Sequence, residues 1–144
     1  MNARSVAAGG GKARHESQPE GVLVLDLGVS RVRAALTFWC QHVDIELLYQ
    51  GERIDKPLCI GTSVEVREEG QLGVLCMGIS AHGSVGRAGF YNRGLALLER
   101  PSEWAGFSYK INSARLAHTL SRDQVVKDEA YYKLLGRVEA LRPA

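Results

Sequence analysis

The stretch that decides the predicted fold is VLVLDLGVSRVRAAL, which spans residues 22–36. A short apolar run at residues 22–27 stops at Gly28, and a second run that favours β-structure follows after a few residues. We therefore predict a buried strand at residues 22–27, a tight turn, and a second strand at residues 31–39. This hairpin would place the carboxylate of Asp26 and the bare backbone of Gly28 at one edge of a sheet.

A carboxylate beside exposed backbone N–H groups suits a magnesium-bound phosphate. The carboxylate can orient metal-bound water while the amides face phosphoryl oxygens. The alternative is a plain hairpin turn in which Asp26 caps its own backbone, because Asp and Gly are common turn residues. The residue pattern by itself leaves both interpretations open.

Composition limits the class of protein. The 144 residues are enough for a domain with its own core, and 45% hydrophobic with 24% charged residues is typical of globular proteins. A net charge of +2 gives no reason to expect binding to nucleic acid or to an acidic membrane. No apolar stretch approaches the ~20 residues of a membrane span. Three irregularly spaced cysteines favour reduced thiols, and hence a cytoplasmic location.

The rest of the chain is typical of an α+β domain, because strands come first and helices last. Residues 1–20 are rich in Ala, Gly, Ser and charge and are predicted to be a disordered tail, followed by a single domain at 21–144. We expect about five mostly antiparallel strands followed by two C-terminal helices. Further strands are predicted at 42–50, 61–67 and 72–79, a glycine-rich loop at 81–93, and helices at about 112–120 and 131–141.

The order of these features resembles the N-terminal lobe of the actin-like ATPases, which include sugar kinases and the seventy-kilodalton heat-shock chaperones. The resemblance covers residues 21–81: the Asp-x-Gly-x-Ser turn, a third strand, Gly51-Glu52-Arg53, Lys56-Pro57, and a strand ending near Ala81. It implies a ribonuclease-H-like or actin-like half-lobe that binds ATP and magnesium.

The resemblance also implies roles for individual residues. Asp26 would hold magnesium through water, and the backbone amides of Gly28, Val29 and Ser30 would contact the phosphates. Ser30 would add its hydroxyl. Val29 departs from the family, which has Thr or Ser there, and Arg31 brings a cation close to the predicted site.

The second phosphate loop and the glycine-rich adenosine motif of that family do not occur in this sequence. Catalysis needs metal, water and phosphate held together. The resemblance therefore implies a chaperone-like ATPase lobe, incomplete and without robust turnover alone, and no catalytic residue is predicted. Its partner would be a protein or the missing second lobe, bound through the C-terminal helix.

The alternative function is a non-enzymatic protein-interaction module. In that case the glycine-rich loop and the C-terminal helix bind a partner, and Asp26 is only a turn residue.

Overall fold

The computed structural model describes residues 29–81 and 84–143. The chain divides into two compact units, residues 1–35 and 36–144, and the following description concerns the second. Within the described residues, two helices and two sheets, of two and five strands, confirm the predicted α+β class. The helices are α1 (Val29–Cys40) and α2 (Glu129–Leu141), and the strands are β1 (Leu48–Tyr49), β2 (Glu52–Arg53), β3 (Glu65–Gly70), β4 (Gly73–Ile79), β5 (Arg87–Asn92), β6 (Leu95–Pro101) and β7 (Phe107–Asn112).

The larger sheet has the strand order β3-β4-β7-β5-β6. All neighbouring pairs are antiparallel except β5 and β7, which run parallel. The chain therefore leaves β6 at one edge, passes the beginning of β5, and enters the sheet as β7. The Ser102 N–H donates to the Gly86 carbonyl oxygen at 2.7 Å where this passage begins. A Cβ on Gly86 would lie 1.9 Å from the carbonyl oxygen of Phe107, so this crossing requires glycine.

The main core lies between the sheet and α2. Alternate residues of the central strands face the helix, because successive side chains of a strand point to opposite faces. Phe90 stacks on Tyr131 of α2 with ring centroids 5.5 Å apart. The helix begins after Asp128, whose side chain accepts the backbone N–H of Tyr131 at 2.9 Å. The fully buried residues of this core include Ala88, Phe90, Tyr109, Ile111, Leu134 and Val138.

The opposite face of the sheet is covered by residues 41–62, which we call the covering segment. This segment contains the small β1–β2 hairpin with its turn at Gln50 and Gly51, and the strand predicted at residues 42–50 is limited there to Leu48–Tyr49. The Leu58 carbonyl oxygen accepts bonds from Arg67 Nη1 at 2.7 Å and from Cys76 Sγ at 3.4 Å. A smaller core of Leu58, Cys76, Tyr91 and Ala96 lies beneath it.

The predicted strand at residues 31–39 is wrong, because this stretch belongs to α1. Its alanines, leucine and arginines are good helix formers, and a short apolar run does not separate the strand period from the helix period. The two-stranded hairpin on which the phosphate prediction depends is therefore not formed by these residues. The other predicted strand of that hairpin, at residues 22–27, lies outside the described residues, as does the tail at 1–20.

Two further predictions are corrected. The glycine-rich stretch contains β5, whose Ala88, Gly89 and Phe90 are buried in the middle of the sheet. The helix predicted near residues 112–120 does not form, so α2 is the single C-terminal helix of the described chain. Asn112 ends β7 instead, and its side-chain oxygen accepts the backbone N–H of Gly94 at 2.9 Å. This cross-strand bond uses the oxygen that would otherwise cap a helix.

Candidate functional site

The sequence-predicted site residues fall in two groups. Asp26 and Gly28 lie outside the described residues, so the predicted magnesium and ATP site remains a prediction. Val29, Ser30 and Arg31 lie in the first turn of α1 rather than on a hairpin.

The C-terminal helix does not offer the partner surface that the sequence suggested. Its apolar residues Tyr131, Leu134 and Val138 are buried against the sheet, and Leu135 and Leu141 pack against the same core. Tyr132 is the large exposed side chain of this helix, at 58%. Because the domain itself uses the apolar stripe, a surface for a partner has to be found elsewhere.

The described residues form an apolar groove of about 530 Å³ beside the edge strand β6. Trp39 lines it together with Leu95 and Leu97 of β6 and with Leu116. Trp39 is 47% exposed and Leu95 is 49% exposed, whereas Leu97 and Leu116 are buried. The groove therefore has a firm apolar base and two large apolar side chains that face solvent. Its remaining lining residues are Asn92, Ala96, Ala117, His118 and Arg122.

A small hairpin at residues 117–126, which we call the 117–126 hairpin, forms the other wall of the groove. It is closed by bonds from Val126 N to Ala117 O and from Thr119 N to Gln124 O, each 2.9 Å. His118 Nε2 lies 2.9 Å from the carbonyl oxygen of Leu97 and so fastens the hairpin to β6. Arg122, at the tip of this hairpin, adds a positive charge to the lining.

The two edges of the sheet differ in a way that bears on function. β3, at one edge, has the sequence EVREEG, and charged side chains on an edge strand oppose pairing with another chain. β6, at the other edge, begins LALL before its charged end. Among the described residues β6 pairs with β5 alone. An apolar, singly paired edge strand is a template for a further strand.

The described residues contain no group of three or more His, Cys, Asp or Glu placed to hold a metal ion. Cys76 is fully buried, and burial raises the pKa of its thiol to about 11. A thiol of this kind is mostly protonated at neutral pH and reacts poorly. Cys76 is therefore a packing residue of the smaller core beneath the covering segment and not a nucleophile.

Neither helix in the described part of the chain combines the length and apolarity that a membrane crossing requires. Comparison with protein-family models gives no match, and comparison with curated proteins gives no significant match. The resemblance to the actin-like ATPases stays a prediction from residues 21–81.

Sequence reasoning missed the groove because its parts are distant along the chain. The sequence pattern predicts a strand at Trp39, and at residues 95–99 it is equally compatible with a short strand or a helical turn. The run LALL followed by a charged end did carry a signal for an edge strand. β6 lies at an edge because β7 is inserted between β4 and β5. No local sequence pattern specifies this strand order.

Proposed function

We propose that this chain is a non-enzymatic protein-interaction module that binds an extended segment of a partner protein along β6. The observation that supports it is the apolar, singly paired edge strand with an apolar groove beside it. Main-chain hydrogen bonds to such an edge provide affinity, and alternate side chains in neighbouring pockets provide specificity. A cytoplasmic location is part of the proposal, supported by the three free cysteines.

The chemistry of the groove indicates the partner segment. Its base is apolar, so the inward side chains of the segment should be aliphatic or aromatic, at every second position. Arg122 favours an acidic residue near one end of the segment. A hydrophobic strand with a terminal Asp or Glu fits both requirements. Trp39 and Leu95 are already about half buried, so covering each of them would contribute roughly half of the 1.5–3 kcal/mol that burial of a fully exposed large side chain provides.

The experiment is a selection from a phage-displayed library of random ten-residue peptides against the full chain. Enriched sequences should alternate apolar residues and carry a carboxylate at one end. A synthetic peptide of the best sequence should slow hydrogen exchange of the amides of Leu95–Leu97. The same peptide with alternate backbone nitrogens methylated should bind at least tenfold more weakly, because a methylated nitrogen cannot donate a main-chain hydrogen bond to β6.

Leu95→Asp and Ile45→Asp are matched variants for this test, since both side chains are exposed and Ile45 lies in the covering segment. Leu95→Asp should abolish binding, and Ile45→Asp should leave it unchanged. Equal affinity of both variants, or full affinity of the methylated peptide, would contradict strand addition at β6. Self-association that is lost in Leu95→Asp would identify a second copy of the chain as the occupant.

Nucleotide association is a second proposal, favoured by one observation. Val29–Arg31 form the first turn of α1, directly after Asp26-Leu27-Gly28 in the sequence. Backbone N–H groups in the first turn of a helix bind phosphate, and a carboxylate nearby can orient magnesium-bound water. In this proposal the chain binds magnesium and ATP without turnover of its own.

The test is a thermal shift with magnesium and ATP on the wild type and on Asp26→Ala. A ligand that binds only the folded state raises the melting temperature. A shift that Asp26→Ala removes would support the proposal, and Asp44→Ala provides a control carboxylate that is exposed elsewhere. No shift at millimolar nucleotide would rule it out.

A further inference from the structure

Lys110 lies in the middle of the sheet, on the face opposite α2. It belongs to β7, where its neighbours Tyr109 and Ile111 point into the main core. Its Nζ lies 2.7 Å from Nε2 of His42, in the covering segment, and 5.7 Å from the ring centroid of Tyr91. The amine is thus enclosed between the sheet and the covering segment.

The hydrogen bonds of His42 define its protonation. Nδ1 of His42 lies 3.1 Å from the carbonyl oxygen of Lys56, and a carbonyl oxygen only accepts, so Nδ1 carries the proton. In the neutral ring Nε2 then has a free lone pair, which faces the amine of Lys110. Burial, and then the charge of Lys110, lower the pKa of His42, so the ring is neutral at pH 7. The imidazole is placed to accept a proton from the amine.

The surroundings of Lys110 do not neutralise its charge by direct contact. The groups that face it are the carboxylates of Glu99 and Glu65, the thiols of Cys59 and Cys76, and His42. Among the described residues, none of these carboxylates lies within 4.0 Å of Nζ as an ion pair. Glu99 is engaged with the Tyr91 hydroxyl at 2.6 Å and with Arg87 at 3.5 Å. Lys110 is half-buried, and an ammonium that is partly withdrawn from water without a close counter-ion is unfavourable, so burial lowers the pKa of Lys110.

Lys110 also lines a cavity of about 270 Å³. The cavity is small for a drug-sized ligand and suits a molecule of a few non-hydrogen atoms. Its polar lining includes Arg87, Glu99 and Ser108. The hydroxyl of Ser108 accepts the backbone N–H of Arg87 and bonds to Ser80, both at 2.9 Å. The side-chain amine of Lys110, a cationic side chain and a hydroxyl therefore line the same small cavity.

We propose that the side-chain amine of Lys110 binds a small aldehyde or 2-oxo acid covalently, as an imine. His42 Nε2 takes one proton from the ammonium and releases it to solvent. The amine lone pair attacks the carbonyl carbon, the C=O π electrons move to oxygen, and a proton passes from nitrogen to oxygen. The carbinolamine then loses its hydroxyl group and the remaining proton on nitrogen, which leave together as water while the C=N bond forms, so that amine plus carbonyl gives imine plus water. Arg87 is the partner for the carboxylate of a 2-oxo acid. This site lies apart from the β6 groove and does not depend on the proposed function.

The experiment uses the purified full chain with glyoxylate and cyanoborohydride at pH 7. Reduction of the imine leaves a stable carboxymethyl group, and peptide mass spectrometry measures its rate of formation at each lysine. Lys133 is the internal control because it is exposed and paired with Glu129 at 2.5 Å. Lys110 should be modified faster than Lys133, because a lowered pKa leaves a larger fraction of the amine neutral near neutral pH. Since the comparison is made within the wild-type chain, it holds even where a variant fails to fold.

Three variants sharpen the test. His42→Gln should slow modification of Lys110 while leaving Lys133 unchanged, and the same reaction at pH 9 should restore most of the rate. Lys110→Arg should remove the fast modification altogether. Arg87→Met should reduce the rate with glyoxylate but not with acetaldehyde, which distinguishes a 2-oxo acid from a simple aldehyde. Modification of Lys110 at or below the rate of Lys133 would overturn the proposal, because a lysine that only links the sheet to the covering segment would be protected.

Discussion

Nε2 of His118 lies 2.9 Å from the carbonyl oxygen of Leu97, and this bond joins the 117–126 hairpin to the edge strand β6. Because the carbonyl oxygen only accepts, Nε2 carries the proton. The bond occupies one carbonyl of the edge strand and holds the second wall of the groove in place. His118 thus adds a polar link between β6 and the hairpin, whose Val125 is buried in the main core.

Replacing that side chain should loosen the wall without unfolding the domain. We expect His118→Ala to lower the free energy of unfolding by about 0.5–1.5 kcal/mol, the usual contribution of one hydrogen bond. Hydrogen exchange at residues 117–126 should quicken, whereas exchange in β4 and β7 should not change. Leu120→Ala is the control, since Leu120 is fully exposed on the same hairpin. Unchanged exchange in His118→Ala would mean that the hairpin is held by its own bonds.

The adjacent tyrosines of α2 make a second prediction. Tyr131 is 5% exposed and stacks on Phe90, whereas Tyr132 is 58% exposed. Tyr131→Ala should cost about 3–5 kcal/mol, because it removes a buried aromatic ring and leaves a cavity. Tyr132→Ala should change stability by no more than about 0.5 kcal/mol. Urea unfolding followed by circular dichroism measures both, and similar losses would show that the helix packs through another face.

Some of this architecture could be predicted from local pattern. The strand β4 could be predicted, because the apolar run at residues 72–79 directly follows a polar stretch. The spacing of Tyr131, Leu134 and Val138 gave the buried stripe of α2, because helical periodicity is strong over three turns. The sequence predicts that this helix begins at about residue 131, whereas it begins at Glu129 and is capped by Asp128.

Other parts depend on distant contacts and could not be predicted. Gly89 and its glycine-rich surroundings read as a loop, yet β5 is held in the sheet by parallel pairing with β7. The short apolar run at the start of β6 is compatible with a strand and with a helical turn, so the sequence does not decide between them. Lys110 belongs to no element that the sequence predicts, and its partner His42 lies 68 residues away. Both candidate sites arise from pairings of this kind, which is why sequence motifs did not reveal them.

The third prediction concerns Gly86, where the chain passes close to Phe107 at the start of β7. A Cβ at Gly86 would meet the Phe107 carbonyl oxygen at 1.9 Å and its carbonyl carbon at 2.7 Å, and backbone atoms cannot move aside as a flexible side chain can. We expect Gly86→Ala to lower stability by about 1–3 kcal/mol through overpacking. Gly70→Ala is the control, because a Cβ there meets no atom within 4 Å. Thermal melts compare the two variants, and an equal melting temperature would show that the loop after β6 can move away from β5.

The fourth prediction concerns alkaline pH. The thiol of Cys76 has its pKa raised by burial from the ordinary 9.0 to about 11. The thiol is therefore protonated in both states below pH 9, and its contribution to stability is complete there. Between about pH 9 and 11 the unfolded chain releases this proton and the folded chain does not, so stability falls as the pH rises. Burial also raises the pKa values of Tyr91 and Tyr109, which act in the same direction.

Urea unfolding at pH 8 and pH 10.5 should show this loss of stability, and Cys76→Ala should lose less stability over the same interval than the wild type. An equal loss in both proteins would mean that Cys76 ionises in the folded state as easily as in the unfolded chain.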